Sequence, residues 1–232
     1  MFSFEAFQRF ENWMRAIYRL IGLNLLWTAT TVLGLVVVGV GPASYALARY
    51  LDRWVRHGET PPLLPTWIGF LRERPGRSAG VGALLLAVGA VVVTNIFLVP
   101  NWYVQFVNVL ALAVLGILTA YVFPLMGATR FEKLPQLFAG ALLIGLGSLH
   151  WTILGATGSA LVLWLMWQVA PLLAGVFGVA VPALAVALVT RVAFRDLRTT
   201  PDGAAVLPQS RRRTRAAIQP PTTQPTTKGL AR

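Results

Sequence analysis

The sequence predicts an all-α polytopic membrane protein, a bundle of about five transmembrane helices accompanied by amphipathic interfacial helices. Of its 232 residues, 56% are hydrophobic and 12% are charged, which is about half the charged share of an ordinary soluble domain. A run of about 20 apolar residues is long enough to cross the hydrocarbon core as a helix. The sequence holds five long apolar runs, at 20–40, 78–99, 102–126, 135–156 and 159–190.

The first predicted element is an amphipathic lead-in over residues 1–19. Phenylalanine recurs there at helical spacing, at Phe4, Phe7 and Phe10, a pattern typical of a helix in the membrane interface. The uncharged run 20–40 follows, and at about 1.5 Å per residue it reaches roughly 32 Å. Because this run is longer than the core of a cleavable signal and acidic residues precede it, we expect both segments to be retained.

The first run ends at a predicted helix break formed by Gly39, Gly41 and Pro42, since glycine and proline punctuate helices. The predicted interfacial helix 43–57 then has an apolar face and an opposite face that carries arginine. Two interpretations are open: a connector that fixes topology along the bilayer surface, or a surface that contacts lipid or a cytosolic partner. The candidate contact residues are Arg49, Arg53 and Arg56.

Proline and charge mark the later boundaries. Three prolines make residues 59–65 a surface loop, and 66–74 is a short helix candidate with a basic end. The run 159–190 is longer than one perpendicular crossing. Pro171 and Pro182 are therefore its predicted kink points.

The chain divides into the lead-in, a transmembrane domain over 20–195 and a tail over 196–232. The tail is rich in proline and basic residues and poor in apolar ones, so we expect it to be disordered. Its basic residues can contact anionic lipid, at about 1 kcal/mol each near the surface. Because basic residues flank the apolar runs, the net charge of +12 indicates membrane lipid as a partner and not nucleic acid.

The distribution of basic residues predicts the orientation. Six arginines lie within 42–77 and more basic residues follow Arg191, whereas the connections 99–101 and 155–158 are uncharged. The positive-inside rule places the basic connections and the C-terminus in the cytoplasm. Five crossings then put the N-terminus outside, although it carries three arginines. The alternative is that 20–40 enters the membrane without fully crossing it.

The sequence contains no pattern that indicates a catalytic site, a cofactor site or a metal site. All acidic, lysine and arginine side chains lie outside the five runs, which argues against a proton-coupled pump. No metal-ligand spacing, nucleophile elbow or phosphate loop is present, so we predict that the protein is not an enzyme. His150 lies beside Trp151 in the predicted headgroup zone.

Several amides lie within or near the runs, and two interpretations are open for them. The first is hydrogen bonding between helices, which contributes about 0.6 kcal/mol on average. The second is a path for a neutral polar solute. The amides are Asn24, Asn95, Gln105, Asn108 and Gln168.

Three short segments resemble the YesL family of bacterial integral membrane proteins. They are Asn24-Leu-Leu-Trp27, Gly39-Val-Gly-Pro-Ala43 and Tyr121-Val-Phe-Pro-Leu125, and together with the order of the runs the resemblance covers about residues 8–195. The resemblance implies no functional residues, because the family has no established biochemical activity. It implies an accessory role in carbohydrate import, since family members tend to be encoded beside sugar-uptake ABC transporters and glycan-degrading enzymes.

One function is therefore expected, and a second is its alternative. The first is a non-enzymatic accessory component of an ABC-type carbohydrate uptake system in the bacterial cytoplasmic membrane, with transporter subunits as partners. The second is a small neutral-solute permease, with a path lined by the amides and gated around the two prolines of the last run.

Overall fold

The computed structural model describes residues 4–129 and 133–199, and every regular element within those ranges is a helix. This confirms the predicted all-α class. The chain divides into two compact units, Met1–Ala193 and Phe194–Arg232. The contacts described below lie within the first unit. The helices are α1 Phe4–Leu33, α2 Val40–His57, α3 Leu63–Glu73, α4 Pro75–Leu98, α5 Trp102–Ala128, α6 Leu134–Gly147, α7 Leu149–Val169, α8 Pro171–Phe177 and α9 Ala180–Thr199.

Within residues 4–129 and 133–199, four stretches of helix are long and apolar enough to cross a membrane: Trp13–Leu33 within α1, and the whole of α4, α5 and α7. A fifth is present if Pro171–Phe177 and Ala180–Arg191, which are bent by 48°, count as one broken span. The described part of the chain thus has the several apolar helices of a multi-pass membrane protein, as the sequence predicts.

The N-terminal helices begin and end differently from the predicted ranges. The lead-in and the first part of the run 20–40 form one continuous helix, α1, which ends at Leu33. The rest of that run forms the turn 34–39 and the first residue of α2. The run therefore does not form a single helix, because the chain reverses between Gly34 and Gly39.

The C-terminal runs are also divided. Ser148 separates α6 from α7, and its hydroxyl donates to the Ile144 carbonyl at 2.7 Å, a local bond that competes with regular helix geometry. Ala170 separates α7 from α8, since Pro171 cannot donate a backbone N–H to continue α7. Residues 200–232 of the predicted tail lie outside the described residues.

The helices α1 and α2 form an antiparallel hairpin around the turn 34–39. Trp27 Nε1 donates to Ser44 Oγ at 3.2 Å, and the Arg19 guanidinium lies 5.8 Å from the ring centre of Trp54. A Cβ added at Gly34 or Gly39 would overlap backbone atoms of the opposite arm. Glycine at these positions therefore permits the tight reversal.

The helix α2 lies against four other helices, and its position along the bilayer surface stays a prediction. Its apolar face packs against α1, α3, α4 and α5 and buries Tyr50 and Leu51 almost completely. Periodicity shows that a helix has one apolar face, but it does not show whether that face meets lipid or protein. Burial of this face against Leu23, Trp67 and Phe70 fixes α2 within the bundle.

The helices α2 and α4 approach each other backbone to backbone at Gly41 and Gly82. A Cβ on Gly82 would overlap the Cα of Gly41, and a Cβ on Gly41 would overlap the Ser78 carbonyl. Small residues allow this close approach between membrane helices. This contact explains why position 41, which lies outside the turn 34–39, is also occupied by glycine.

We expect Gly82→Ala to destabilise the protein by about 1–3 kcal/mol, because the added methyl group must push α2 and α4 apart. Gly80→Ala is the matched control, since Gly80 is exposed on the same helix with no atom within 4 Å of an added Cβ. It should be neutral or stabilising by up to about 1 kcal/mol. Thermal unfolding in detergent measures both, and equal melting temperatures for the two variants would contradict the close contact.

Candidate functional site

Polar residues of α2, α3 and the start of α4 meet the C-terminal end of α5. The end of a helix leaves backbone carbonyls without intrahelical donors and carries a partial negative charge. Arg49 Nη1 donates to the Gly127 carbonyl at 3.2 Å, and Arg74 Nη1 donates to the Met126 carbonyl at 3.4 Å. We call this group the basic cluster, and its members are Tyr45, Arg49, Arg53, Phe70, Glu73 and Arg74.

Glu73 supplies the negative charge of the basic cluster. The Tyr45 hydroxyl donates to Glu73 Oε2 at 2.8 Å, and Arg49 Nε lies 3.6 Å from the same oxygen. Burial raises the pKa of Tyr45 above its ordinary value of 10.0, and the Glu73 carboxylate raises it further. Tyr45 therefore remains protonated at neutral pH and remains a donor to Glu73.

The three predicted contact arginines have intramolecular partners. Arg49 and Arg53 both lie over the Phe70 ring, at 5.5 and 5.0 Å from its centre, a distance at which cation–π attraction operates. Arg56 Nη1 lies 2.9 Å from Asp52 Oδ1 within α2. These contacts place the three guanidinium groups along one side of α2.

Asn24 joins α1 to the break between α8 and α9. Its side-chain Nδ2 donates to the Gly175 carbonyl at 3.0 Å, and its Oδ1 accepts from the Val179 backbone N–H at 3.1 Å. The residue is only 5% exposed. A helix break frees backbone donors and acceptors that need partners in an apolar environment, and this single amide provides one of each.

The predicted helix-breaking residues adjoin observed helix ends. Gly39 directly precedes α2, while Gly41 and Pro42 lie in its first turn. Pro171 is the first residue of α8, and Pro182 lies in the first turn of α9. Proline is compatible with these positions because the first N–H groups of a helix have no intrahelical acceptor.

A cavity of about 610 Å³ lies between α2, α5 and the α8–α9 segment. Its lining is mostly apolar, and its polar side chains already have partners. Ser44 accepts from Trp27, Thr119 donates to the Leu115 carbonyl and Thr190 donates to the Val186 carbonyl. Asp52 is paired with Arg56, so the lining offers few unused polar groups to a ligand.

The predicted amides do not line this cavity. Asn108 is buried, and its Nδ2 has no acceptor among the residues that the structure describes. His150 is exposed and its ring centre lies 5.3 Å from that of Trp151. Within 4–129 and 133–199, no group of three His, Cys, Asp or Glu side chains is arranged to hold a metal ion.

Sequence reasoning missed Tyr45, Phe70 and Glu73 as parts of one site. Tyr45 and Arg49 are four residues apart on a predicted helix, so they share a face. Glu73 stands between two arginines in the short helix candidate, which gave a local signal of an ion pair. No sequence signal showed that the end of α5 would meet both.

The helices and their contacts define a class of protein: a multi-pass helical membrane protein with an N-terminal helical hairpin and a basic cluster at the C-terminal end of α5. Residues 20–96 match the model of a family described as "Protein of unknown function, DUF624". The matched segment begins within α1, contains the turn 34–39, α2 and α3, and ends within α4. Residues 20–96 are therefore similar to that family.

The chain is also similar to a protein of Bacillus subtilis strain 168 described as uncharacterised, YteU. The two are 31% identical over 154 residues, which represent 62% of this chain and 66% of the relative. The chain therefore spans slightly less than two thirds of that relative's length. No solved structure has significant similarity to the chain. These findings support a resemblance to a family of unknown function, and the YesL assignment itself stays a prediction.

We expect Arg49→Ala to destabilise the protein by about 1–3 kcal/mol, because it removes a charged hydrogen bond and leaves Glu73 with less compensation. Arg72→Ala is the matched control, since Arg72 is exposed in the last turn of α3, and it should change stability by less than about 0.5 kcal/mol. Thermal unfolding in lipid nanodiscs measures the difference. Equal effects of the two variants would show that the basic cluster does not hold α2 to α5.

We expect Asn24→Leu to destabilise the protein by about 1–3 kcal/mol, because the Gly175 carbonyl and the Val179 N–H both lose their partner. Asn108→Leu is the control, since it removes a buried amide nitrogen without an acceptor and should be neutral or stabilising. The measurement is the free energy of unfolding in mixed micelles. If Asn108→Leu were the more damaging of the two, the bridging role of Asn24 would be refuted.

Proposed function

We propose that the chain is a non-enzymatic accessory component of an ABC-type carbohydrate uptake system in the bacterial cytoplasmic membrane. The carbohydrate context comes from the resemblance to the YesL family, whose members tend to be encoded beside sugar-uptake ABC transporters. The proposed partners are the transporter's own subunits. The basic residues, and with them the C-terminus, face the cytoplasm under the positive-inside rule.

The basic cluster is the observation that carries this proposal. Its guanidinium groups are held by Phe70, Glu73 and the end of α5, so little side-chain freedom remains to be lost when a partner binds. Arginine is enriched at protein interfaces, and ABC importers have large cytosolic surfaces. The contact surface in this proposal comprises Arg53 of the basic cluster and two arginines outside the cluster, Arg56 and the exposed Arg72.

The alternative function is a permease for a small neutral solute, and the cavity is the observation in its favour. Its position beside the α8–α9 break would let that break act as a gate near Pro182. A sugar site requires converging polar groups, however, and the polar side chains in this lining are bonded within the protein. The apolar lining therefore favours the accessory function.

Isolation of the protein from mild detergent after cross-linking in intact membranes tests the accessory function. We expect mass spectrometry to identify the membrane-spanning and nucleotide-binding subunits of a sugar ABC importer. Arg53→Glu should reduce their recovery at unchanged protein level, whereas Arg15→Glu, on the N-terminal part of α1, should not. Repeated recovery without these subunits would refute the proposal.

Reconstitution of the protein alone separates the alternative function from the first. Proteoliposomes that take up a neutral sugar faster than empty liposomes would establish the permease. Liposomes no more permeable than empty ones would exclude it.

A further inference from the structure

We propose that α1 and α2 form a re-entrant hairpin that enters the bilayer from the basic side and returns to that side. Its tip, residues 33–38, would lie in lipid hydrocarbon. The N-terminus would then lie on the same side of the membrane as Glu59, which is opposite to the arrangement that five full crossings require. This inference does not depend on the carbohydrate proposal.

The tip exposes apolar side chains only. Leu33 and Leu35 are 85% and 84% exposed, and Val36, Val37 and Val38 are each more than half exposed. From Val32 to Gly41 the sequence contains no polar side chain. Contiguous exposed apolar surface at the end of a hairpin indicates contact with an apolar partner, and in a multi-pass protein the surrounding partner is lipid.

Most backbone N–H groups of the tip donate to carbonyl groups within the hairpin. The Val36 N–H donates to the Thr31 carbonyl at 2.8 Å, the Gly39 N–H to the Gly34 carbonyl at 3.1 Å and the Val40 N–H to the Val36 carbonyl at 3.0 Å. Leu35 and Val36 take positive φ angles of 54° and 63° to close the turn. In water, the backbone N–H groups of a turn can bond to solvent, whereas hydrocarbon offers no partner to a backbone N–H.

The two arms of the hairpin contact each other through an arginine and a tryptophan. Arg19 of α1 lies over Trp54 of α2, and both residues are of types that anchor helices at the membrane interface. From Arg19 to Leu33 the helix rises about 21 Å at 1.5 Å per residue. This is shorter than the hydrocarbon thickness of about 30 Å, so a tip anchored at Arg19 does not reach the opposite interface.

The basic cluster limits the depth of the second arm. Arg49 contacts Glu73 and the Gly127 carbonyl, which lie at the ends of α3 and α5 and next to the basic connection before α6. Arg49 lies only nine positions after Val40, a rise of about 14 Å. The arm α2 is therefore too short to be a span, and it is not among the candidate spans.

The arrangement also accounts for the charge of the N-terminus. With the hairpin re-entrant, the candidate spans that remain in the described part of the chain are α4, α5, α7 and the bent α8–α9 pair, an even number. The N-terminal arginines and Arg191 then lie on one side, as the positive-inside rule requires. The conflict between five crossings and a basic N-terminus is thereby removed.

Single-cysteine labelling tests the side of the N-terminus, because the chain has no native cysteine. The variants are Ser3→Cys, Glu59→Cys as the reference for the basic side and Pro100→Cys in the α4–α5 connection. With a membrane-impermeant maleimide on intact cells, we expect Ser3→Cys and Glu59→Cys to behave alike and Pro100→Cys to behave oppositely. Labelling of Ser3→Cys together with Pro100→Cys would overturn the proposal.

Spin labels at exposed positions test the environment of the tip. A nitroxide on Val36→Cys, in reconstituted protein, should relax with dissolved oxygen and not with a water-soluble nickel chelate, as should the control Val91→Cys in the middle of α4. Relaxation by the chelate would show that the tip is in water, and shielding from both agents would show that protein covers it; either result overturns lipid contact. Leu35→Cys provides the same readout if one label disturbs folding.

Discussion

The structure depends on the requirement that backbone polar groups find partners inside the protein wherever water is absent. The interior of an unbroken helix meets this requirement by itself. Backbone groups at the ends of helices need other partners. At the turn 34–39 the backbone bonds to itself across the hairpin. At the α8–α9 break the Asn24 side chain supplies both a donor and an acceptor, and at the end of α5 two arginines supply donors.

The hydrogen bonds at these three helix ends, together with one close contact between helices, position the N-terminal half of the bundle. Asn24 holds α1 to the α8–α9 break, and Arg49 holds α2 to the end of α5. Gly41 and Gly82 let α2 and α4 meet backbone to backbone. The matched DUF624 segment, residues 20–96, contains Asn24, Arg49 and both glycines. The arrangement of α1, α2 and α4 is therefore built largely from residues within that segment.

The sequence was sufficient to predict the helical class, because long apolar runs need no tertiary information. Pro171 likewise marked a helix end, since its missing N–H acts locally. The burial of the apolar face of α2 against protein was not predictable, because an amphipathic face is compatible with lipid or with protein. The basic cluster was not predictable either: Glu73, Tyr45 and Gly127 are distant in sequence, and only the packing of α3 and α5 brings them together.

The N-terminal half of the bundle depends on the antiparallel pairing of α1 with α2, and a distance between these two arms tests the pairing most directly. Nitroxide labels on Tyr18→Cys and His57→Cys would lie on the two arms of the hairpin near the basic end, at positions that are exposed. Because packed helix axes are about 8–10 Å apart, pulsed EPR in nanodiscs should give a main distance below about 20 Å. A main distance near or above the hydrocarbon thickness of about 30 Å would place the arms on opposite sides and contradict the account.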